Sequence, residues 1–118
     1  MTTAETIVRV VRSYRLDLSD EKRMQAELAE AFAAEGIACE REVRLTAADI
    51  PDFLTPDGVA VECKLRGQGK KAIFRQMGRY CAHERVRALV LVTNVAMGLP
   101  PVILGKPVYY ATLSRGWL

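Results

Sequence analysis

Histidine, tryptophan and cysteine are scarce in this chain: one His, one Trp and three Cys in 118 residues. His83, the only histidine, has no serine or cysteine at a spacing that would make a nucleophile–base pair, and it reads as an exposed helix-end residue. Cys39, Cys63 and Cys81 are odd in number and far apart. They form neither a zinc pattern nor a disulfide framework, which points to a reducing cytoplasm, and their apolar surroundings suit thiols that only pack. Long hydrophobic runs are also missing. The longest, Ala88 to Val92, is far short of a membrane span, so no membrane partner is expected. Met1 to Val11 carries Glu5 and Arg9 and lacks an apolar signal-peptide core. Repeats, low-complexity tracts and dividing linkers are absent too. With half its residues hydrophobic and a quarter charged, the chain is expected to form one domain over 1–118 around a single core.

A net charge of +3 conceals an uneven distribution. Carboxylates dominate Tyr14 to Glu62. From Cys63 to Arg87 there are eight bases (Lys64, Arg66, Lys70, Lys71, Arg75, Arg79, Arg85 and Arg87) against one acid, Glu84. A basic block of this kind suits a polyanionic partner, although a solvated helix face has the same composition.

Hydrophobic periodicity and turn residues give the element order. Ser19 has the chemistry of an N-cap, and Met24, Leu28 and Phe32 make the apolar stripe of a helix that stops at Gly36. Ile37 to Leu45 alternates as a strand, with Cys39, Arg41, Val43 and Leu45 on one face. Gly67-Gln68-Gly69 breaks the chain before a helix predicted over 70–85, whose buried stripe is Ile73, Met77, Tyr80 and Cys81. Ala88 to Thr93 reads as a central buried strand. Gly98 to Pro107, with three of the five prolines, reads as a loop; Val108 to Leu113 is predicted as a last strand, with Trp117 docking the C-terminus. A helix joining neighbouring strands of one sheet makes a crossover connection, so a mixed sheet with helices packed on it is expected.

Between the first helix and the glycines lies the most informative stretch, Asp52 to Lys64. Pro56-Asp57-Gly58 suits a three-residue hairpin loop: proline presets φ for a type I turn and glycine takes the left-handed position after it. Thr55 then pairs with Val59, and Asp52 falls opposite Glu62. Side chains alternate along a strand, so Glu62 and Lys64 share one face while Val61, Cys63 and Leu65 share the other. Like charges facing each other across a ladder destabilise it, so this pair calls for a cation. Asp and Glu oxygens around Mg²⁺, with Mn²⁺ as a substitute and a lysine alongside, suit phosphodiester hydrolysis.

The run Ile50-Pro51-Asp52 … Glu62-Cys63-Lys64 resembles the signature of the PD-(D/E)XK nuclease superfamily, a Pro-Asp leading into one strand and Glu-X-Lys on the next. Gln76-Met77-Gly78-Arg79-Tyr80 resembles the Gln-x-x-x-Tyr helix motif of its RecB-like and phage branches. The likeness runs from about Ser19 to Asn94. It implies an α/β fold with a restriction-endonuclease-like α-β-β-β-α-β core. It also implies Asp52 and Glu62 as metal ligands, joined by the main-chain carbonyl of Cys63, with Lys64 orienting or deprotonating the attacking water. The first helix of this superfamily usually supplies a further acid. On a helical wheel Glu21 and Gln25 fall on the core-facing side, whereas Glu27 and Glu30 turn toward solvent. Glu21 is therefore preferred as a metal ligand, with Glu27 as the fallback. An acid followed four positions later by Gln resembles the virus-type replication-repair nuclease branch. Gln76 is a candidate for bridging the site to a DNA phosphate. Lys70, Lys71, Arg75, Arg79, Tyr80 and Gln25 are candidate DNA contacts.

The resemblance thus implies a Mg²⁺-dependent deoxyribonuclease acting on double-stranded or branched DNA. It would be selective for junctions, flaps or ends, serve repair, recombination or phage DNA metabolism, and work as a possible homodimer through the Val108–Leu113 strand. The competing expectations are a nuclease-like fold that only binds DNA or protein, and a nuclease active only within a larger assembly.

Overall fold

The computed structural model describes residues 1–67 and 69–113. Helix α1 (Thr3–Ser13) precedes α2 (Glu21–Ala34), strands β1 (Glu40–Arg41), β2 (Phe53–Leu54) and β3 (Val59–Lys64), helix α3 (Lys70–Cys81), and strands β4 (Ala88–Thr93), β5 (Val102–Ile103) and β6 (Lys106–Thr112). The six strands form one mixed sheet in the order β1-β2-β3-β4-β6-β5, in which β3, β4 and β6 run parallel. Among the described residues, no helix is long and apolar enough to cross a membrane.

Both faces of the central strands are covered, and every residue of β3 and β4 is buried. On one face, α1 and α2 set Ile7, Val10, Met24, Leu28 and Phe32 against Val61, Cys63, Val90 and Val92. On the other, α3 sets Ile73, Met77, Tyr80 and Cys81 against Ala60, Leu89 and Leu91. Phe32 packs edge-on against Phe53 with ring centroids 5.2 Å apart, which ties α2 to β2. That contact fixes the helix carrying Glu21 relative to the strand that follows Asp52.

The hairpin forms as the sequence predicts. Phe53 pairs with Val61 and Leu54 with Ala60, the Thr55 amide donates to the Val59 carbonyl at 3.0 Å, and Asp52 lies opposite Glu62. Gly58 takes φ +91°, and a Cβ there would lie 2.8 Å from the Arg85 carbonyl oxygen, so both backbone and space demand glycine.

Four expectations need correction. Helix α1 was not anticipated from the sequence, although Thr2 and Glu5 form a reciprocal capping box and Ala4, Ile7, Val10 and Val11 repeat at helical spacing. The strand expected over 37–45 shrinks to Glu40–Arg41, because Glu42 adopts φ +50° and turns the chain into a loop. Helix α3 ends at Cys81 rather than Arg85. Part of the expected Gly98–Pro107 loop is strand: β5 pairs with β6 through a tight turn at Leu104 (φ +51°) and Gly105 (φ +78°). Strand β6 therefore sits between β4 and β5, with β5 pairing only with its first two residues. Trp117 lies outside the described residues.

Candidate functional site

Strand β2 begins only at Phe53, after Pro51, which has no N–H to give to a ladder. Strand β3 runs on past it, and the amides of Cys63 and Leu65 on that edge need other partners. Two acids supply them. Asp52 Oδ2 accepts from the Cys63 amide at 2.7 Å, and Glu21 Oε1, from the first turn of α2, accepts from the Leu65 amide at 3.0 Å. A strand residue's N–H and C=O face the same neighbour, so the Cys63 carbonyl lies on this edge as well.

Glu62 projects from the same stretch of β3 toward α3. Its Oε2 is 3.1 Å from Lys64 Nζ. Its Oε1 accepts from the Tyr80 hydroxyl at 3.0 Å and from the Asp52 amide at 3.3 Å. Tyr80 in turn accepts from Gln76 Nε2 at 3.0 Å. A relay thus runs from Gln76 through Tyr80 to Glu62, with Lys64 on the far oxygen. Glu62 and Lys64 are 4% and 7% exposed, so solvent screens this pair weakly.

Burial raises the Asp52 carboxyl to about 7, and the neighbouring Glu62 charge adds to the rise against the pull of the Cys63 amide and Lys64. Glu62 is also raised, chiefly by burial, with Lys64, Tyr80 and the Asp52 amide opposing. Burial and then Glu62 hold the Tyr80 phenol well above its ordinary range, so it is a hydrogen-bond donor here and not a base. Two desolvated carboxyl groups share one lysine, and the site favours added positive charge or a proton.

The structure brings together Asp52, Glu62, Lys64, the Cys63 backbone and Glu21. It separates Glu27, whose Oε1 accepts from the Asp17 amide at 2.7 Å. Gln25 is half-buried one turn after Glu21. One expected role changes. Tyr80, expected among the DNA contacts, is fully buried and cannot present itself to a ligand; it holds Glu62. Gln76, expected to bridge the site to a phosphate, is half-buried and donates to Tyr80. Lys70, Lys71 and Arg75 are exposed along α3. Arg79 is exposed too, but its Nε donates to Asp49 at 2.8 Å. Asp49 went unnoticed in the sequence: a buried acid three residues before Asp52, it anchors the 42–52 loop to α3. Its only sequence signal is an acid sitting in that loop opposite a basic helix.

Among the described residues, no three or more His, Cys, Asp or Glu side chains cluster as a metal-holding group. Mg²⁺ does not need such a cage, since it keeps several waters and often takes only one or two protein carboxylates. Hard oxygen donors short of positive charge fit that chemistry. No family model matches the chain, and no curated protein or solved structure is significantly similar to it.

Proposed function

We propose that this protein is a Mg²⁺-dependent deoxyribonuclease of the PD-(D/E)XK type, selective for DNA structure rather than sequence. The observation that carries this reading is the opposition of Asp52 to Glu62 across the β2–β3 hairpin, with Lys64 on the same face and 3.1 Å from Glu62. The order α2-β1-β2-β3-α3-β4 agrees with the restriction-endonuclease-like core that the motifs imply.

Asp52, Glu62 and the Cys63 carbonyl would hold the ion, with Glu21 beside them. Bound Mg²⁺ supplies a more acidic water and neutralises charge on the phosphate. Lys64 would orient the attacking water and offset the negative charge that develops on the phosphate oxygens. Tyr80 and Gln76 fix the Glu62 carboxylate, so they are positioning residues. The exposed bases of α3 attract the DNA backbone without reading its sequence.

The test is incubation of the purified protein with Mg²⁺ or Mn²⁺ and labelled linear, flapped, nicked and four-way DNAs. Cleavage is expected for the wild type and none for Asp52→Asn or Glu62→Gln. Wild-type protein that neither binds Mg²⁺ in calorimetry nor cleaves any of these would refute the reading. One observation favours a second reading, a nuclease-like fold that binds without turnover or acts only in a larger assembly. Both Glu62 oxygens already have partners in Lys64, Tyr80 and the Asp52 amide. Metal binding without cleavage by the isolated protein would identify that case.

A further inference from the structure

A second concave surface lies on the flank of α3 away from Glu62. It is an open groove of about 320 Å³ between the first two turns of α3 and the segment after β4, lined by Lys70, Lys71, Phe74, Arg75, Met97 and Leu99 among others. Among the described residues its lining holds three cations and no acid. Phe74 is 47% exposed, an unusual state for a phenylalanine, and it stands between the lysines and Arg75. Gln76 reaches Tyr80 from one flank of the buried Ile73-Met77-Tyr80 stripe, whereas Phe74 lies about 100° from Ile73 on the other.

We propose that this groove seats a single-stranded nucleic acid segment, with an unpaired base stacked on Phe74 and Lys70, Lys71 and Arg75 taking its phosphates. The charge is complementary to a polyanion, and an accessible aromatic ring among cations provides a stacking platform. Bases in a duplex present only their edges, because their faces are stacked on one another. Phe74 therefore selects an unpaired strand. The two walls of the groove leave the sheet at adjacent points: Lys64 pairs with Thr93, the 65–69 connection leads from one to α3, and the 94–99 segment leads from the other. The groove and the Asp52/Glu62 site thus lie on either flank of α3, next to the same ends of β3 and β4. This assignment rests on the nuclease reading for its consequence, which is that the substrate carries an unpaired flap or overhang.

Binding can be measured without cleavage. Fluorescence anisotropy in EDTA with labelled oligo-dT, oligo-U and a blunt duplex of equal length, over a series of KCl concentrations, reads binding apart from cleavage. Single strands should bind more tightly than the duplex. Phe74→Ala should weaken single-strand binding about tenfold while leaving duplex binding and the melting temperature unchanged, and Phe74→Trp should restore it. Equal affinity for single strand and duplex, or a Phe74→Ala effect under twofold, would overturn the proposal. So would a polyglutamate peptide that binds where oligo-dT does not, a result that would identify the groove as a site for an acidic protein. Phe74-dependent binding with no cleavage of any DNA would defeat the nuclease reading alone. Cleavage of blunt duplex with Phe74 silent would defeat this one alone.

Discussion

Replacing Asp52 with Asn should make the metal-free protein more stable at alkaline pH, and the size follows from the site. The carboxyl is pushed up to about 7 by burial and by Glu62, against an ordinary value of 3.8. Below about pH 4 both folded and unfolded chains hold the proton, so the group contributes nothing to stability there. Between about 4 and 7 the unfolded chain ionises first, and stability falls as pH rises. Above about 7 the full cost is present. A separation of roughly three pH units corresponds to about 4 kcal/mol, an upper bound that relaxation and water entry would bring to about 2. Asn keeps an oxygen for the Cys63 amide, now 2.7 Å from Asp52 Oδ2, and discards the charge. Urea unfolding at pH 3.5 and pH 8.5 in EDTA should therefore show a small difference between wild type and variant at acid pH. At alkaline pH the variant should be about 2 kcal/mol more stable, or roughly 8 °C by melting. Mg²⁺ at ten times its Kd should restore about 1.4 kcal/mol to the wild type and nothing to Asp52→Asn. A variant no more stable than wild type at pH 8.5, or a difference that does not grow with pH, would refute the account of the site as short of positive charge.

Three further outcomes are expected. In one cleavage assay Glu21→Gln should cut turnover sharply and Glu27→Gln should be nearly silent, since Glu21 bonds the Leu65 amide and Glu27 faces the Asp17 loop; the reverse pattern would show that the wrong acid has been assigned. Tyr80→Phe removes the hydroxyl from Glu62 and leaves Gln76 without its acceptor, so it should cost about 1 kcal/mol in denaturant unfolding and lower kcat more than KM changes. Arg75→Ala with Arg79→Ala should weaken binding to all DNA sequences about equally and flatten the salt dependence. Of the two, only Arg79→Ala should also lower stability, by about 1 kcal/mol, because it strands the buried Asp49; equal melting temperatures for the two single variants would contradict this.

What could be read from the sequence follows the range of the forces involved. The hairpin was legible because Pro56, Asp57 and Gly58 set the turn locally, and register then placed Asp52 opposite Glu62 with no further information. The stripes of α2 and α3 were legible because burial repeats at the helical period. Strand β1 was not, since one residue, Glu42, in a left-handed conformation ends a run that alternates correctly, and nothing local demands that geometry. Helix α1 is encoded by Thr2 and Glu5 at its cap together with Ile7, Val10 and Val11 at helical spacing. The Asp49–Arg79 pair joins residues 30 apart through tertiary packing, and no spacing rule anticipates it. Tyr80 shows both sides: its burial was predictable from the stripe, while its grip on Glu62 depends on how α3 crosses β3.

The edge of β3 beyond β2 carries one more consequence. A strand that outruns its neighbour exposes unpaired amides, a template on which another chain can add itself. Here the Cys63 and Leu65 amides are taken by the carboxylates of Asp52 and Glu21, so the same acids also close the sheet against intermolecular pairing. Alanine at both positions would remove the charge and reopen two rungs, and such a protein should associate through this edge at high concentration. Paired amide substitutions, which retain an acceptor at each rung, should show no such added association under the same conditions.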